Sequence, residues 1–252
     1  MTSVWPSYVI NLADNTARME NARAQLDAAG LPFRRIDAVN GWQLPSDEIA
    51  RVYDAEANAK RARHDLVPAE IGCYLSHIDA WRAIASGDAA GGFIFEDDFE
   101  ADTSLAATLQ ALTQDGGSDW DMVKLFTFSP DAKQLSERPL TDTIRLTIPY
   151  RVPTCLIGYG LTKQAAQRLA DQALPFFRPV DEDQKYVWET GLRVALTLPA
   201  PIKVGDQQAV TGTIGNARRD ASQGGLKRLW RGLRTQLAYQ AKLRWHRARG
   251  AK

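Results

Sequence analysis

Three consecutive carboxylates, Glu96-Asp97-Asp98, directly follow the apolar run of residues 92–95. Because this run has the composition of a buried strand, we expect the three acids at the carboxyl edge of a sheet, where open α/β folds bind ligands. Carboxylate oxygens are preferred ligands of Mg²⁺ and Mn²⁺, which often share them with substrate phosphates. Alternation along a strand predicts Glu96 and Asp98 on one side and Asp97 on the other. The alternative interpretation is a solvated turn before the next helix.

A second acidic cluster, Asp181-Glu182-Asp183, follows Pro179 and Val180. One interpretation is structural, because Asp is a good helix N-cap and acidic residues suit the first turn of a helix. The functional interpretation makes one of these carboxylates a general base that takes the proton from an acceptor hydroxyl. The cluster alone leaves both interpretations open.

Motifs of several other enzyme classes are absent from the sequence. It contains no G-x-G-x-x-G after its first apolar run and no G-x-x-x-x-G-K-[ST], which disfavours dinucleotide-dependent redox chemistry and P-loop chemistry. It has no G-x-S-x-G elbow, and Ser76 and His77 would point about 100° apart on a helix, which disfavours a hydrolase triad. A structural hydrogen bond explains His77 as well as a ligand role does. Two cysteines, Cys73 and Cys155, exclude a disulfide-stapled scaffold and are interpreted as packing residues.

The segments that must position these acids alternate between strand-like and helical patterns. Strand-like runs cover residues 7–12, 33–36, 92–95, 120–128, 144–148, 154–161 and 193–198. Helical patterns run from Asp14 or Thr16 to Gly30, over residues 46–63, from Pro68 to Gly87, and over residues 104–113 and 163–172. This order of strands and helices predicts an α/β sheet.

Charge is unevenly distributed along the chain. The formal net charge is +1, but residues 217–252 contain eleven basic residues and one acid, which leaves a net charge of −9 on residues 1–216. Such asymmetry indicates a tail that meets an anionic partner. The glycine-rich residues 205–225 predict a linker between a domain of residues 1–204 and a tail of residues 226–252. Nucleic acid is disfavoured as the partner, because the acidic body would repel phosphate.

The tail has the pattern of a basic amphipathic helix. Apolar residues recur at helical steps and are flanked by lysines and arginines: Leu226, Leu229, Trp230, Leu233, Leu237 and Ala241. One interpretation is a helix packed on the body with a solvated basic face. The other is an interfacial helix on anionic lipid, with Trp230 and Trp245 at the level of the headgroups.

The rest of the sequence predicts a cytoplasmic protein. No apolar stretch approaches the ~20 residues that a membrane-spanning helix needs. The N-terminal residues have no basic region before an apolar run and no export-type cleavage pattern.

Seven segments occur in an order and spacing that resembles glycosyltransferase family 25, the bacterial lipooligosaccharide glycosyltransferases related to collagen galactosyltransferases. The segments are residues 9–12 with Arg18, residues 37–41, residues 70–77 with Trp81, residues 95–98, residues 121–125, residues 158–161 with Ala165 and Ala166, and residues 179–181. The match covers nearly all of residues 7–202 and leaves the basic tail outside. One departure is Asn40-Gly41, where the family commonly has Asp-Gly.

The resemblance implies a GT-A-like, Rossmann-related mixed sheet flanked by helices, to which the tail adds its C-terminal helix. It implies a metal-dependent (Mn²⁺ or Mg²⁺), inverting transfer of galactose or glucose from a UDP-sugar. The acceptor would be a hydroxyl of a lipid-linked glycan such as lipooligosaccharide or LPS core. The alternative is a noncatalytic nucleotide-sugar- or glycan-binding protein on a degenerate transferase fold.

The resemblance also implies roles for individual residues. Glu96 and Asp98 would hold the metal, and Asp181 would be the catalytic base, with Glu182 or Asp183 as substitutes. The donor would contact Asn11, Arg18, Asn40, His77, Asp97 and Lys124. For Lys124 the alternative is a surface or salt-bridged lysine. Because lipid-linked glycans are assembled on an anionic membrane, the tail would place the protein at the inner face of the cytoplasmic membrane. Each basic residue near the surface would contribute about 1 kcal/mol to the free energy of membrane binding.

Overall fold

The computed structural model of the chain describes residues 3–205 and 225–250 and, for residues 225–228, the backbone alone. The predicted linker of residues 205–225 lies outside the described residues except at its two ends. The proposed division into a domain, a linker and a tail therefore stays a prediction.

An eight-stranded mixed sheet forms the centre of the described structure. The ten strands, which include a separate pair formed by β4 and β10, are β1 (Ser7–Asn11), β2 (Phe33–Asp37), β3 (Gly91–Glu96), β4 (Phe99–Ala101), β5 (Met122–Lys124), β6 (Gln134–Pro139), β7 (Arg145–Pro149), β8 (Gly158–Thr162), β9 (Val194–Leu198) and β10 (Ile202–Val204). The order in the large sheet is β2-β1-β3-β8-β5-β9-β7-β6. Strand β1 is parallel to β2 and β3, whereas β8 is antiparallel to β3 and β5. The carboxyl ends of β1, β2 and β3 therefore meet at one edge.

Helices cover both faces of this sheet. They are α1 (Thr16–Ala28), α2 (Ser46–Val52), α3 (Ala55–Arg61), α4 (Pro68–Ser86), α5 (Leu105–Asp115), α6 (Lys163–Gln172), α7 (Val180–Asp183), α8 (Val187–Thr190) and α9 (Gly225–Ala248), with a 3-10 turn at Gly41–Gln43. This is the predicted α/β architecture, a mixed sheet flanked by helices and followed by a C-terminal helix, and it is consistent with a GT-A-like fold.

Alternation along the central strands divides the core into two apolar layers. In β3, Ile94 packs with α4 and α6, whereas Phe93 and Phe95 pack with α1 and α5 on the other face. All three side chains are fully buried. A strand buried on both faces has no polar side, which explains why residues 92–95 are continuously apolar.

Several predicted elements need correction. The single helix expected over residues 46–63 is two helices, α2 and α3, because Asp54 caps a new helix by accepting a 2.8 Å hydrogen bond from the Ala57 amide. Strand β6 has no counterpart in the sequence analysis. It is an edge strand with mostly exposed side chains, so it lacks the apolar pattern that identifies a buried strand.

The loop after β2 lies directly against α4. A Cβ atom on Gly72 would lie 2.3 Å from the Val39 carbonyl oxygen, and one on Gly41 would lie 1.7 Å from the carbonyl oxygen of Pro68. The Ser76 hydroxyl also accepts a 2.9 Å hydrogen bond from the Val39 amide. These contacts fix the end of β2 against the helix that carries His77.

Helix α9 packs on the body through its less apolar side. Tyr239 and Leu243 are buried in a cluster with Tyr186. Arg231 donates to the Asn58 side chain at 2.9 Å and pairs with Asp65 at 2.8 Å. The basic residues of this helix therefore do not form a purely solvated face, because part of the contact with the body is made by an arginine.

The apolar stripe of α9 faces away from the body. Its described large members are each more than half exposed: Leu229, Trp230, Leu233, Leu237 and Trp245. Helix α9 therefore packs on the body, as one interpretation expected, but through Tyr239, Leu243 and Arg231 and not through this stripe. Within the described residues, no helix combines the length and the apolar character needed to cross a bilayer.

Candidate active site

The first acidic cluster lies where the carboxyl ends of β1 and β3 meet. The parallel register places Ile10 beside Glu96, so Asn11 at the end of β1 lies next to the turn after β3. The Asn11 side-chain amide donates to the Asp97 carboxylate at 2.6 Å. Its carbonyl oxygen accepts from Arg35 at 3.1 Å. The two strand ends are thus joined through buried polar contacts.

Arg18, from the first turn of α1, neutralises part of the acidic cluster. Its guanidinium pairs with Asp97 at 2.5 Å and with Asp98 at 2.9 Å. Both acids lie in a turn between β3 and β4, where strand alternation no longer applies. Asp97 and Asp98 therefore share one cation, and the predicted separation of Asp97 from Asp98 is wrong.

The charge on Asp98 is only partly compensated. Burial and then the nearby carboxylate of Glu96 raise the pKa of Asp98 from 3.8 to about 6, against the opposing effect of Arg18. Burial likewise raises the pKa of Asp97, although Arg18 and Asn11 oppose it. Among the residues that the structure describes, the buried Oδ1 atom of Asp98 has no hydrogen-bond partner. An unpaired carboxylate oxygen beside a second carboxylate fits a bound divalent cation.

Glu96 also faces helix α4. Its Oε1 lies 3.3 Å from His77 Nε2, and one ligand atom each of Cys73, His77 and Glu96 lie within 4.8 Å of one another. Glu96 could therefore contribute to a metal site with Asp98 or with the His77 side. Carboxylates alone suit Mn²⁺ or Mg²⁺, whereas a set with thiol and imidazole ligands favours softer metals.

His77 is held rigidly by a buried hydrogen-bond network. Its Nδ1 lies 2.7 Å from the Tyr159 hydroxyl, which accepts a 2.8 Å hydrogen bond from Trp81 Nε1. Because the Trp nitrogen can only donate, the Tyr159 proton is available to Nδ1, and this assignment leaves the Nε2 proton facing Glu96. His77 is fully buried, and this network fixes its ring beside Glu96.

A buried lysine, Lys124, interacts electrostatically with one acid of each cluster. Lys124, at the end of β5, is fully buried and donates to the Pro153 carbonyl at 2.5 Å, so the expected alternative of a surface lysine is wrong. Burial lowers the pKa of Lys124 from 10.5 to about 8, and nearby Asp181 and Glu96 offset part of that effect. Both carboxylates therefore lie within electrostatic range of one ammonium group, although they come from different elements.

Asp181 is positioned by a strained turn. Its Oδ2 accepts a 3.3 Å hydrogen bond from the Cys155 amide, and its Oδ1 accepts from the Glu182 amide at 2.9 Å. Cys155 has a φ of 75°, which non-glycine residues rarely adopt and which is found most often at functional sites. Burial raises the pKa of the Cys155 thiol to about 12, so it stays protonated and is no nucleophile.

The other two acids of α7 have structural partners. Glu182 lies 3.7 Å from Lys185 and 3.8 Å from Arg63. Asp183 accepts a 2.7 Å hydrogen bond from the Tyr74 hydroxyl and pairs with Arg178 at 2.7 Å. Asp181, which has neither an arginine nor a lysine in direct contact among the described residues, is the best placed of the three to accept a proton.

The structure brings together most, but not all, of the residues that the sequence analysis selects. Asn11, Arg18, Asp97 and Asp98 form one group of direct contacts, and Glu96 contacts His77. Lys124 interacts electrostatically with Glu96 and Asp181. Asn40 instead caps the 3-10 turn by accepting a 3.1 Å hydrogen bond from the Trp42 amide.

Three residues near Glu96 and Asp181 had no predicted site role. Cys73 and Cys155 were interpreted as packing residues, and Tyr159 lies in residues 158–161, a segment of the family resemblance. The spacing of Cys73 and His77, which puts both on one face of α4, was a signal for Cys73.

Comparison of the sequence with known proteins identifies the family of the chain. A sequence profile described as "Glycosyltransferase family 25 (LPS biosynthesis protein)" matches residues 5–183, which include both acidic clusters. The chain belongs to glycosyltransferase family 25. This confirms the resemblance found in the sequence.

Curated relatives of this family 25 chain include a protein named as inactive and a protein named as a galactosyltransferase. "Inactive glycosyltransferase 25 family member 3" of Homo sapiens is 28% identical over 190 residues, and "Procollagen galactosyltransferase 1-A" of Xenopus laevis is 27% identical over 183 residues. "Glycosyltransferase 25 family member" of Anopheles gambiae is 28% identical over 189 residues. Each match covers 69% of this chain and 30% of the relative, so the chain spans about a third of the length of these proteins.

Proposed function

We propose that this family 25 chain is an inverting, metal-dependent glycosyltransferase that moves a hexose, galactose or glucose, from a UDP-sugar to a hydroxyl of a lipid-linked glycan such as lipooligosaccharide or LPS core. The observation that carries the proposal is the acidic end of β3, where Asn11 and Arg18 hold Asp97 and Asp98 and leave Asp98 Oδ1 without a partner among the described residues. Such a strand end suits a metal ion and a diphosphate. Asp181, which has no basic side chain in contact among the described residues, supplies a second carboxylate on α7.

The residues of the chain supply most of the chemistry in this proposal. Arg18 and Asn11 fix the carboxylates of Asp97 and Asp98, so that Asp98 Oδ1 stays free. Lys124 is mostly protonated at neutral pH and neutralises charge on the leaving diphosphate. A divalent ion held by Glu96 and Asp98 would add positive charge on the same leaving group.

Inversion requires a base on the side of the sugar opposite the leaving group. In this proposal, Asp181 accepts the proton of the acceptor hydroxyl, and the Cys155 amide fixes its orientation at 3.3 Å. Glu182 is the less suitable base, because the nearby cations Arg63 and Lys185 stabilise its negative charge and so weaken its tendency to accept a proton.

Paired variants of α7 test the base. Asp181→Asn and Glu182→Gln each remove one negative charge from adjacent residues and keep the size of the side chain. We expect Asp181→Asn to lower the rate of UDP release about 10²- to 10⁴-fold and Glu182→Gln to change it little. The reverse order would transfer the role to Glu182. Equal, near-parental rates in both, with unchanged melting temperatures, would remove the second acidic cluster from the mechanism.

We also propose that the exposed stripe of α9 lies on an anionic membrane at the cytoplasmic face. Leu229, Trp230, Leu233 and Leu237 form an apolar surface on a helix rich in arginine. Trp245 stacks with Arg249, whose guanidinium carbon lies 3.8 Å from the ring centroid. Apolar side chains beside basic ones complement both the acyl region and the negative headgroups of such a surface.

Because α9 also packs on the body, deleting it would disturb the fold, and surface substitutions make a sharper test. Trp230→Ser/Leu233→Ser/Leu237→Ser should abolish sedimentation with phosphatidylglycerol vesicles. Phe128→Ser/Leu135→Ser/Leu174→Ser, which removes three exposed apolar residues from the body, is the control and should leave sedimentation intact. Sedimentation of the α9 variant at the level of the parent would refute membrane binding by this stripe.

The alternative of a noncatalytic binding protein has one observation in its favour, since a relative carries the description "inactive". The word "inactive" describes that relative and not this chain. This chain has the three acids to which the proposal gives roles, Glu96, Asp98 and Asp181. UDP-sugar binding without UDP release, in the presence of acceptor and Mn²⁺, would favour this alternative.

A further inference from the structure

A basic cavity lies between α9 and the body. Its volume is about 170 Å³, several times the ~30 Å³ that one water occupies in the liquid. Five basic residues line it: Lys60, Arg61, Arg178, Arg234 and Lys242. We call this space the basic cavity.

Few acids balance this charge. Among the lining residues that the structure describes, Glu189 is the single carboxylate, and it contacts Arg61 at 3.1 Å, Lys242 at 3.7 Å, and Arg178. Asp183 also pairs with Arg178, and Glu56 pairs with Lys60. Arg234 donates to the Ala59 carbonyl at 3.3 Å. The five cations and three carboxylates leave an excess of about two positive charges.

The wall of the basic cavity also carries buried donors without partners. Thr235 is 7% exposed, and its hydroxyl oxygen makes no hydrogen bond within the described part of the chain. Arg178 is 4% exposed, and its Nε is likewise unpaired among the described residues. A buried donor without an acceptor destabilises the folded state, so a ligand that supplied acceptor oxygens here would be stabilising.

Arg178 is fixed in place before any ligand binds. Its guanidinium carbon lies 3.7 Å from the ring centroid of Tyr186 and 4.4 Å from that of Phe177. It also contacts Asp183 at 2.7 Å, two residues after Asp181 in the sequence. The basic cavity is thus joined through one rigid side chain to α7.

We propose that the basic cavity binds a phosphate group, as a monoester or a diphosphate. A phosphate matches the excess of about two positive charges, and its oxygens can accept from the Thr235 hydroxyl and from guanidinium and ammonium donors together. Two sources fit this chemistry: a phosphorylated sugar and the headgroup of an anionic lipid. The proposal does not depend on glycosyl transfer, because none of the residues that line the basic cavity belongs to either acidic cluster.

Binding of inorganic phosphate and pyrophosphate, followed by calorimetry at constant ionic strength, tests the proposal. The solutions contain EDTA, which removes any contribution from metal-bound phosphate. We expect Arg234→Gln/Lys242→Gln to weaken binding at least tenfold. The control, Arg244→Gln/Arg249→Gln, removes the same charge from the same helix outside the cavity and should leave the affinity unchanged. Equal weakening in both variants, or no phosphate binding to the parent, would overturn the proposal.

Thr235→Val separates a ligand site from an imperfectly packed interface. If the hydroxyl serves a phosphate, this nearly isosteric change weakens phosphate binding several-fold. If the hydroxyl is only an unpaired buried group, the change raises the melting temperature and leaves phosphate affinity as it was, which would contradict the proposal.

Competition then identifies the source of the phosphate. Glucose 1-phosphate and glycerol phosphate are each titrated against bound inorganic phosphate. If glucose 1-phosphate displaces it at the lower concentration, the ligand is identified as a phosphorylated sugar. The reverse order, with glycerol phosphate effective at the lower concentration, would identify the headgroup of an anionic lipid. Failure of both to compete with phosphate would overturn the assignment of a phosphate ester.

Discussion

Replacing Lys124 by Met should stabilise the protein while abolishing its activity. The ammonium group is fully buried, and burial lowers its pKa from 10.5 to about 8. Since one pKa unit corresponds to about 1.4 kcal/mol, the charged lysine lowers the free energy of unfolding by on the order of 3 kcal/mol. Met has a similar length and no charge. The Pro153 carbonyl loses its 2.5 Å hydrogen bond, which offsets about 1 kcal/mol of the gain.

The pH dependence of this effect has a definite sign. Below pH 8, Lys124 is charged in both the folded and the unfolded chain, so the difference between parent and variant is constant. Between about pH 8 and 10.5, the unfolded chain binds the proton and the folded chain does not, so the stability of the parent rises with pH relative to Lys124→Met. The variant should therefore be more stable by about 2 kcal/mol at pH 7, and its advantage should disappear by pH 10.5.

Urea unfolding at pH 7 and pH 10.5, together with UDP release, measures both halves of this prediction. Lys133→Met, which removes a lysine stacked on Tyr150 elsewhere in the structure, is the control and should not show the pH-dependent gain. Two results would refute the electrostatic argument. In one, Lys124→Met has a lower free energy of unfolding than the parent at pH 7. In the other, its advantage over the parent is the same at pH 7 and at pH 10.5. Activity at the parental level would remove Lys124 from the site.

Two further predictions concern the packing that supports the site. Tyr159→Phe should lower the free energy of unfolding by about 1–3 kcal/mol, because it leaves Trp81 Nε1 and His77 Nδ1 unpaired in the core. Tyr8→Phe is the control, since it removes only a 3.4 Å contact to the Ala83 carbonyl. It should have a smaller effect in the same urea titration. Gly72→Ala should prevent folding or lower the melting temperature sharply, because the new Cβ would lie 2.3 Å from a backbone oxygen. Gly232→Ala, with no atom within 4 Å of the new Cβ, should instead stabilise α9 by about 0.5–1 kcal/mol. A similar response to both glycine substitutions would contradict the packing argument.

The parts of the fold that follow from local patterns were predictable. Continuous apolar runs identified β1 and β3, and the bounds of α6 agree with the residues expected to be helical. Strand β6 was missed because its side chains are mostly exposed and its sequence, QLSERP, has no buried face.

The site was predictable in composition but not in detail. A strand ending in three acids indicates a ligand edge, yet the turn that brings Asp97 and Asp98 to one arginine depends on the position of α1. The burial of Lys124 depends on the loop that contains Pro153, and nothing near Lys124 in the sequence indicates that contact.

The contacts of the tail with the body were also not predictable from the sequence. Its apolar stripe could be recognised from spacing, but a helical pattern does not say whether its apolar side meets the body or another surface. The structure gives that answer through Arg231 and Tyr239, which occupy the contact with the body and leave Trp230 exposed.

The most direct test of the proposed chemistry is UDP release by the parent and by Asp98→Asn, with UDP-galactose and with UDP-glucose as donors. Each protein is measured with Mn²⁺ and again with excess EDTA, and circular dichroism checks that the variant is folded. We expect the parent to release UDP with Mn²⁺ only. Asp98→Asn should lose at least 99% of that rate, an effect on the order of 10²-fold for removing one charged contact at the reacting group. A folded Asp98→Asn protein that releases UDP in excess EDTA as fast as the parent does with Mn²⁺ would contradict this mechanism.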